Sequence, residues 1–473
     1  MQGNNQQCFD ECTFVIMGAT GDLAKRKLIP AICKLMTDNK LCKFALVGVS
    51  FDTTNVQAML AQARPFIPEC NQDAWNKLAA SSYYLAMDFN DAASYQKLNA
   101  LLLDIESARG LFGNRLFYLA TMPTHFATIT KHLAQEGIVE NKTKNHLHKG
   151  WSKVVYEKPF GHNLTSAKQI NACIKKVFND NQVFRIDHYL GKELIGNIAT
   201  MRFTNRIFEP LWNNKHIDSV QIIINETIGI EGRGAFYDTC GALKDVVQNH
   251  MLQIIALVAM EAPEQLTAQA IRQAKENVLK KVKVASAVLG QYKGYREEPN
   301  VKEDSTTETF AAVKLAINNR RWKGVPFYLK TGKKLASSNV SIHIQFKKVR
   351  CLLEACPSSP NHLVISLAPR PGFFLEFNMK EYGTTNTVKQ VKMELGHSAL
   401  TGPNTPEAYE ILLADVINND QVTFVGFNEI ALSWKIIREI TKLKPALYTY
   451  QQGTEGPEEL STLEGNKEIE WRA

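Results

Sequence analysis

The stretch Thr13-Phe14-Val15-Ile16-Met17-Gly18-Ala19-Thr20-Gly21-Asp22-Leu23-Ala24 decides the reading of the first third of the chain. An apolar run ends abruptly in small residues at the spacing Gly-x-x-Gly-x-x-Ala. Between a strand and a helix, a glycine at the turn lets backbone amides approach a pyrophosphate, and the helix offers its amino terminus to the anion. Alone, such a loop is a weak signal, because tight structural turns use the same residues. Its position supports it, since it joins the first strand to the first helix of an alternating segment. Gly18, Ala19, Thr20, Gly21, Asp22 and Leu23 are therefore candidate cofactor-binding residues.

Working outward, strand-like runs recur at 44–49, 83–87, 116–120 and 153–156, each trailed by helical composition, as at 30–36 and 125–135. Short apolar strands alternating with helices predict a parallel, doubly wound Rossmann-type α/β domain over residues 8–186. Ligands of this fold bind at the carboxyl ends of its strands. Ser50 and Phe51 at the end of the second strand, Asp88 after the third and Lys158 after the fifth are thus coenzyme-side candidates. Past residue 187 the texture changes. A long helix at 241–260 precedes strand-like runs at 310–317, 340–346, 363–367, 373–377 and 387–395. Adjacent strands without intervening helices predict an α+β second domain, 187–473, built on a large, mostly antiparallel sheet.

Composition narrows the function. A 473-residue chain that is 45% hydrophobic can fill two cores. The net charge of +8 is spread over dispersed lysines, with short clusters such as Lys280-Lys281, and no arginine-rich arm or zinc-finger spacing accompanies them. Nucleic acid is not the expected partner, and the charge suits phosphorylated small molecules only weakly. With no run of 18 apolar residues, no membrane span is expected. The polar start, Met1-Gln2-Gly3-Asn4-Asn5-Gln6-Gln7, lacks a hydrophobic signal core and points to a cytoplasmic protein. Nine cysteines without metal-ligand spacing, the closest pairs being Cys8/Cys12 and Cys351/Cys356, read as reduced thiols used as small hydrophobes. No metal is expected.

Two clusters carry chemistry. In Arg185-Ile186-Asp187-His188-Tyr189-Leu190-Gly191-Lys192-Glu193, the donors of His188, Tyr189 and Lys192 can converge on a dianionic phosphate. A helix beginning near Tyr189 would add its dipole. The alternative is a solvated loop with incidental charges. On the helix 241–260, Leu243, Val246, Val247, His250, Ile254, Leu257 and Val258 fall on one apolar stripe. A histidine on such a stripe is more often a satisfied core residue. The functional reading is a base in a low-dielectric wall that takes a proton near neutrality. Lys158, in Tyr156-Glu157-Lys158-Pro159-Phe160-Gly161, sits at the carboxyl edge of the first sheet, where Pro159 can hold a cis bond that aims it.

Over nearly its whole length the chain resembles the glucose-6-phosphate dehydrogenase family. The blocks that carry the resemblance are 157–161, 185–193, Arg206-Ile207-Phe208, Glu231-Gly232-Arg233-Gly234, Asp245-Val246-Val247-Gln248-Asn249-His250 and Trp322-Lys323-Gly324-Val325-Pro326-Phe327. The resemblance implies that His250 is the general base at the C1 hydroxyl and that Asp187 pairs with it and fixes its tautomer. It implies that His188, Tyr189 and Lys192 hold the 6-phosphate, that Lys158 and Lys27 lie between substrate and coenzyme, and that Glu226, Asp245 and Lys333 hydrogen-bond the sugar. NADP is the implied coenzyme, 6-phosphogluconolactone the product, and a homodimer or homotetramer through the second-domain sheet the assembly.

Two departures stand out. Where the family commonly reads Gly-Tyr-Ala-Arg after the second strand, this chain has Gly48-Val49-Ser50-Phe51-Asp52, so the arginine expected on the NADP 2′-phosphate is missing and NAD becomes a comparable expectation. Beyond Lys333 a second basic residue is replaced by Ala336-Ser337-Ser338. Rival readings are a sugar dehydrogenase of the glucose–fructose oxidoreductase type, which lacks the 185–193 block, and a non-catalytic dinucleotide-binding sensor.

Overall fold

The computed structural model describes residues 8–67, 72–139, 150–349, 359–383, 387–396, 408–465 and 469–472. The chain divides into two compact units, Met1–Lys192 with Pro406–Phe427, and Glu193–Thr405 with Asn428–Ala473.

The first unit holds six strands: β1 (Cys12–Met17), β2 (Phe44–Ser50), β3 (Ser82–Ala86), β4 (Arg115–Leu119), β5 (Ser152–Tyr156) and β6 (Val183–Arg185). Their order is β3-β2-β1-β4-β5-β6 and every pairing is parallel. β1, β2, β4 and β5 are buried throughout, as a sheet covered on both faces requires. The order reverses at β1, so the crevice beyond β1 and β4 is the topological switch point where ligands of this fold bind.

The helix Ala408–Ile417 returns to this unit, a correction to the sequence boundary, which assigns everything after 186 to the second domain. Leu412, Leu413, Val416 and Ile417 join the apolar core of β1, β2 and the helix Ile29–Thr37. Buried Lys153 donates 2.8 Å hydrogen bonds to the carbonyls of Val416 and Ile417. Residues 187–192 also group with the first unit.

The cysteine reading is corrected as well. Cys8 is disulfide-bonded to Cys42, with Cα atoms 5.9 Å apart, whereas Cys12 and Cys173 are free thiols. Cys351 and Cys356 lie outside the described residues.

The second unit is built on nine strands in the order β14-β13-β12-β11-β7-β10-β9-β8-β15. They are β7 (Ile217–Asn225), β8 (Val282–Tyr292), β9 (Phe310–Ile317), β10 (Pro326–Gly332), β11 (Asn339–Phe346), β12 (His362–Ala368), β13 (Gly372–Lys380), β14 (Val388–Gly396) and β15 (Leu447–Tyr450). The sheet is mostly antiparallel, with parallel pairs at β7–β10 and β8–β15. The expected helix at 241–260 is present but wound in two ways, as a π-helix at Leu243–Met251 and an α-helix at Leu252–Ala259. No helix among the described residues is long and apolar enough to cross a membrane.

Candidate active site

In the first unit, the turn after β1 is bare backbone by necessity. Gly18 adopts φ +97°, and a Cβ there would stand 2.6 Å from the carbonyl oxygen of Ala120, so only glycine fits. Its N–H and that of Ala19 both donate to the carbonyl of Val49, at 2.7 and 3.0 Å, which ties the turn to the end of β2. Ala24, at the third small position, is fully buried. Such a glycine-rich turn leading into a helix, exposed at Gly21 and Asp22, suits a dinucleotide pyrophosphate. Leu23 is partly buried, and Asp22 is exposed, its carboxyl held below the usual range by hydrogen bonding to Lys25 at 2.7 Å, with Arg26 adding to it. Lys27 is exposed on the π-wound start of the first helix, Ala24–Leu28.

The candidates at the ends of β2 and β3 gather beside this turn. The hydroxyls of Thr20 and Ser50 are 2.7 Å apart, and Thr20 donates to the Asp52 carboxylate. Tyr84 donates to the Asp52 carbonyl at 2.7 Å. Phe51 is half exposed and meets Phe89 and His125 edge-on or tilted, with ring centres 5.3 and 6.5 Å away. Exposed Asp88 accepts from the backbone N–H of Asn90 at 2.8 Å and is spent as a turn cap in the structure as it stands.

Lys158 follows β5, and the Lys158–Pro159 peptide is cis. The adjacent Glu157 is the residue that sequence reasoning quoted but gave no role. Its buried carboxylate accepts from the Lys158 N–H at 3.1 Å, from the Tyr118 hydroxyl at 2.5 Å and from Tyr409 at 3.3 Å. Burial pushes its pKa up, opposed by those donors. Glu157 thus anchors the backbone from which Lys158 projects.

After β6 the chain turns tightly instead of starting a helix at Tyr189; the helix begins at Glu193. Buried Asp187 holds this turn, accepting the N–H of Tyr189 at 3.0 Å, and its carbonyl accepts from Leu190 at 2.9 Å. The rings of His188 and Tyr189 lie 5.0 Å apart, and the Lys192 ammonium sits 4.5 Å from the Tyr189 ring centre. The three phosphate-clamp candidates therefore share one turn. Burial pushes the Lys192 pKa down.

In the second unit, His250 is 2% exposed, near the end of the π-helix whose first turn bears Asp245. Lys333 forms an ion pair with Glu226, and its ammonium lies 5.9 Å from the ring centre of fully buried Tyr237. Burial, then Asp245 and Glu308, hold the Tyr237 phenol neutral. Asp245 and Lys333, the latter paired with Glu226, are thereby brought to Tyr237, a residue the sequence reading missed because nothing in its spacing distinguishes it from core. Within Ala336-Ser337-Ser338, the stretch that replaces a second basic residue, the Ser338 hydroxyl accepts the N–H of Thr227 at 3.0 Å, next in sequence to Glu226.

A glycine-rich turn at the switch point of a parallel sheet, joined in one chain to a second domain built on a large, mostly antiparallel sheet, is an architecture found among nicotinamide-dinucleotide oxidoreductases. Matching of the chain to family models divides it between the glucose-6-phosphate dehydrogenase NAD binding domain, residues 15–197, and the glucose-6-phosphate dehydrogenase C-terminal domain, residues 199–472. It is 40% identical to the glucose-6-phosphate 1-dehydrogenase of Chlamydia pneumoniae, covering 99% of this chain and 97% of that protein. It is 38% identical to that of Bacillus subtilis, covering 99% of each. A solved glucose-6-phosphate dehydrogenase in complex with glucose-6-phosphate superposes with a TM-score of 0.89 at 30% identity, over 99% of this chain and 100% of that one. The chain belongs to the glucose-6-phosphate dehydrogenase family.

Proposed function

We propose that the chain oxidises C1 of glucose 6-phosphate to 6-phosphogluconolactone, the first step of the oxidative pentose phosphate pathway. The observation that carries this reading is His250, an imidazole almost wholly buried on the helix that also bears Asp245, in a chain of this family. In the reading, the imidazole takes the C1 hydroxyl proton, the O–H electron pair becomes the second C–O bond of the lactone, and the C1 hydrogen departs as hydride. A bound nicotinamide supplies the acceptor for that hydride. Asp187 orients His250 and stabilises its imidazolium, as a carboxylate does for a catalytic histidine. His188, Tyr189 and Lys192 take the 6-phosphate, remote from C1, so that phosphate binding energy goes into orienting the reacting carbon. Glu226, Asp245 and Lys333 take the sugar hydroxyls, and Lys158 and Lys27 lie between substrate and coenzyme. The turn 18–23, with Ser50, Phe51 and Asp88, holds the dinucleotide.

We further infer that NAD is used at least comparably with NADP. Support comes from Phe51, an apolar ring where a 2′-phosphate would need a cation, and from the neighbouring Asp52 carboxylate, which repels that phosphate. The enzyme works in the cytoplasm, where charged sugar phosphates and dinucleotides are made and retained. It assembles as a homodimer or homotetramer through the second sheet, whose β13–β14 edge exposes Met379, Met393 and Leu395, with Tyr382 98% exposed in the turn between them.

The test is the appearance of reduced nicotinamide with glucose 6-phosphate or glucose and each coenzyme. The reading expects turnover with the phosphorylated sugar and much poorer turnover with glucose. Equal turnover of both would favour a sugar dehydrogenase without a phosphate site, and none with either would leave a dinucleotide-binding sensor.

A further inference from the structure

The helix that carries Asp245 and His250 does not start where its preceding helix ends by simple continuation. Gly241, at φ 65° and ψ 177°, breaks the chain of Gly234–Ala242, and a new helix begins at Leu243. A fresh helix start leaves backbone N–H groups unpaired and presents the positive end of a dipole. One distant residue meets both needs. Glu308, just before β9, accepts the Ala242 N–H on its carbonyl at 2.9 Å and the Leu243 N–H on Oε1 at 3.0 Å. A Cβ on residue 241 would lie 2.4 Å from that Oε1, so the carboxylate fills the space that any larger residue at 241 would claim.

The same short segment holds the other sugar-side group. The carbonyl of Thr309 accepts the Lys333 N–H at 3.0 Å, and Tyr450 bridges the Thr309 hydroxyl, at 3.0 Å, and the Lys333 carbonyl, at 2.6 Å. Residues 308 and 309 therefore tie the helix of Asp245 and His250 to the strand end of Lys333. We propose that Glu308 is a positioning residue for the reaction, its carboxylate capping the helix that presents Asp245 and His250 and setting their placement against Lys333. This rests on the assignment of Asp245, His250 and Lys333 to the substrate. Burial pushes the Glu308 pKa up, which the Leu243 N–H opposes, so the carboxylate is kept there against its own desolvation.

The experiment compares steady-state kinetics and melting temperatures of Glu308→Ala, Glu308→Gln and His250→Asn. Glu308→Gln keeps an acceptor at the same reach; Glu308→Ala has none. Misplacing reacting groups by a fraction of an ångström to an ångström costs about ten- to hundredfold. Glu308→Ala is expected to lose that much in kcat/KM for glucose 6-phosphate while the KM for the coenzyme, which binds the first unit, stays unchanged, and Glu308→Gln restores most of the loss. If Glu308→Ala does not fold, Glu308→Asp, which shortens the reach, is expected to show the same selective loss. Wild-type kcat/KM in Glu308→Ala, or in Glu308→Asp where that variant replaces it, overturns the inference. So does equal impairment of Glu308→Ala and Glu308→Gln, or a matching rise in coenzyme KM. An active His250→Asn would overturn the site assignment instead, so the two failures are distinguishable.

Discussion

The hydroxyl of Thr20, inside the dinucleotide turn, donates a 2.5 Å hydrogen bond to the carboxylate of Asp52, two residues beyond the end of β2. That bond fixes a negative charge just past the end of β2, the strand end beside which this fold places the adenosine ribose. A carboxylate there suits two free ribose hydroxyls and repels a 2′-phosphate. Replacing Phe51 by Arg is expected to shift the NADP-to-NAD ratio of kcat/KM toward NADP, and Asp52→Ala in the same chain to shift it further. A charge-assisted contact is worth about 1.5–3 kcal/mol, roughly one to two powers of ten in binding. A wild-type preference for NADP of about a hundredfold or more, the upper end of that range, would overturn the expectation.

The proposed phosphate clamp carries both a specificity and a pH signature. Lys192→Ala or His188→Ala is expected to raise the KM for glucose 6-phosphate far more than that for free glucose. Because burial lowers the Lys192 pKa, its ammonium loses its proton earlier than an ordinary lysine as pH rises, and the clamp weakens in that direction. The KM for glucose 6-phosphate should therefore climb on the alkaline side, and Lys192→Arg, which stays charged, should flatten the climb. A KM that rises identically in both proteins would rule out Lys192 as the cause.

For the acid–base assignment, His250→Asn is expected to leave substrate binding largely intact and to lower kcat by at least the 10² to 10⁴ typical of losing a general base. Asp187→Asn should also slow turnover, by favouring the wrong tautomer of His250. Near wild-type kcat in either variant contradicts its assigned role.

Stability should fall in mild acid for a reason located in the second sheet. His343 and His362 are buried, and burial, with Arg472 next, lowers each pKa from 6.5 to about 4. Between those values the unfolded chain binds protons that the folded chain refuses, so stability drops as pH falls through that window. A shift of this size at full burial corresponds to on the order of 3 kcal/mol per histidine. His343→Gln, which can keep the bond to Ser341, should reduce the slope of unfolding free energy against pH. An unchanged slope would place the acid sensitivity elsewhere.

Much of the first unit is legible in the chain itself. The runs at 13–17, 44–49, 83–87, 116–120 and 153–156 fall within a residue of the strands because each is apolar and bounded by turn residues. The three clamp candidates could be named because they crowd into one short turn. What could not be read depends on contacts between distant residues. Ile217–Asn225 and Pro326–Gly332 pair in parallel at the centre of the second sheet, yet their sequences carry no mark of that pairing. The helix Ala408–Ile417 is apolar, but nothing local says that its leucines complete a core about 370 residues earlier. Cys8 and Cys42 are separated by 34 residues, so their pairing is invisible to spacing rules. Glu308 and Tyr237 are ordinary residues until folding brings them to the helix of His250.

The most direct test of the central claim follows one atom. Glucose 6-phosphate deuterated at C1 is incubated with the wild-type enzyme and either coenzyme, and the reduced coenzyme and sugar product are weighed by mass spectrometry. The account predicts one deuterium in the reduced coenzyme, none in the 6-phosphogluconolactone, and a drop of several powers of ten in its rate of appearance in His250→Asn. No reduced coenzyme, or deuterium retained in the sugar, would contradict it.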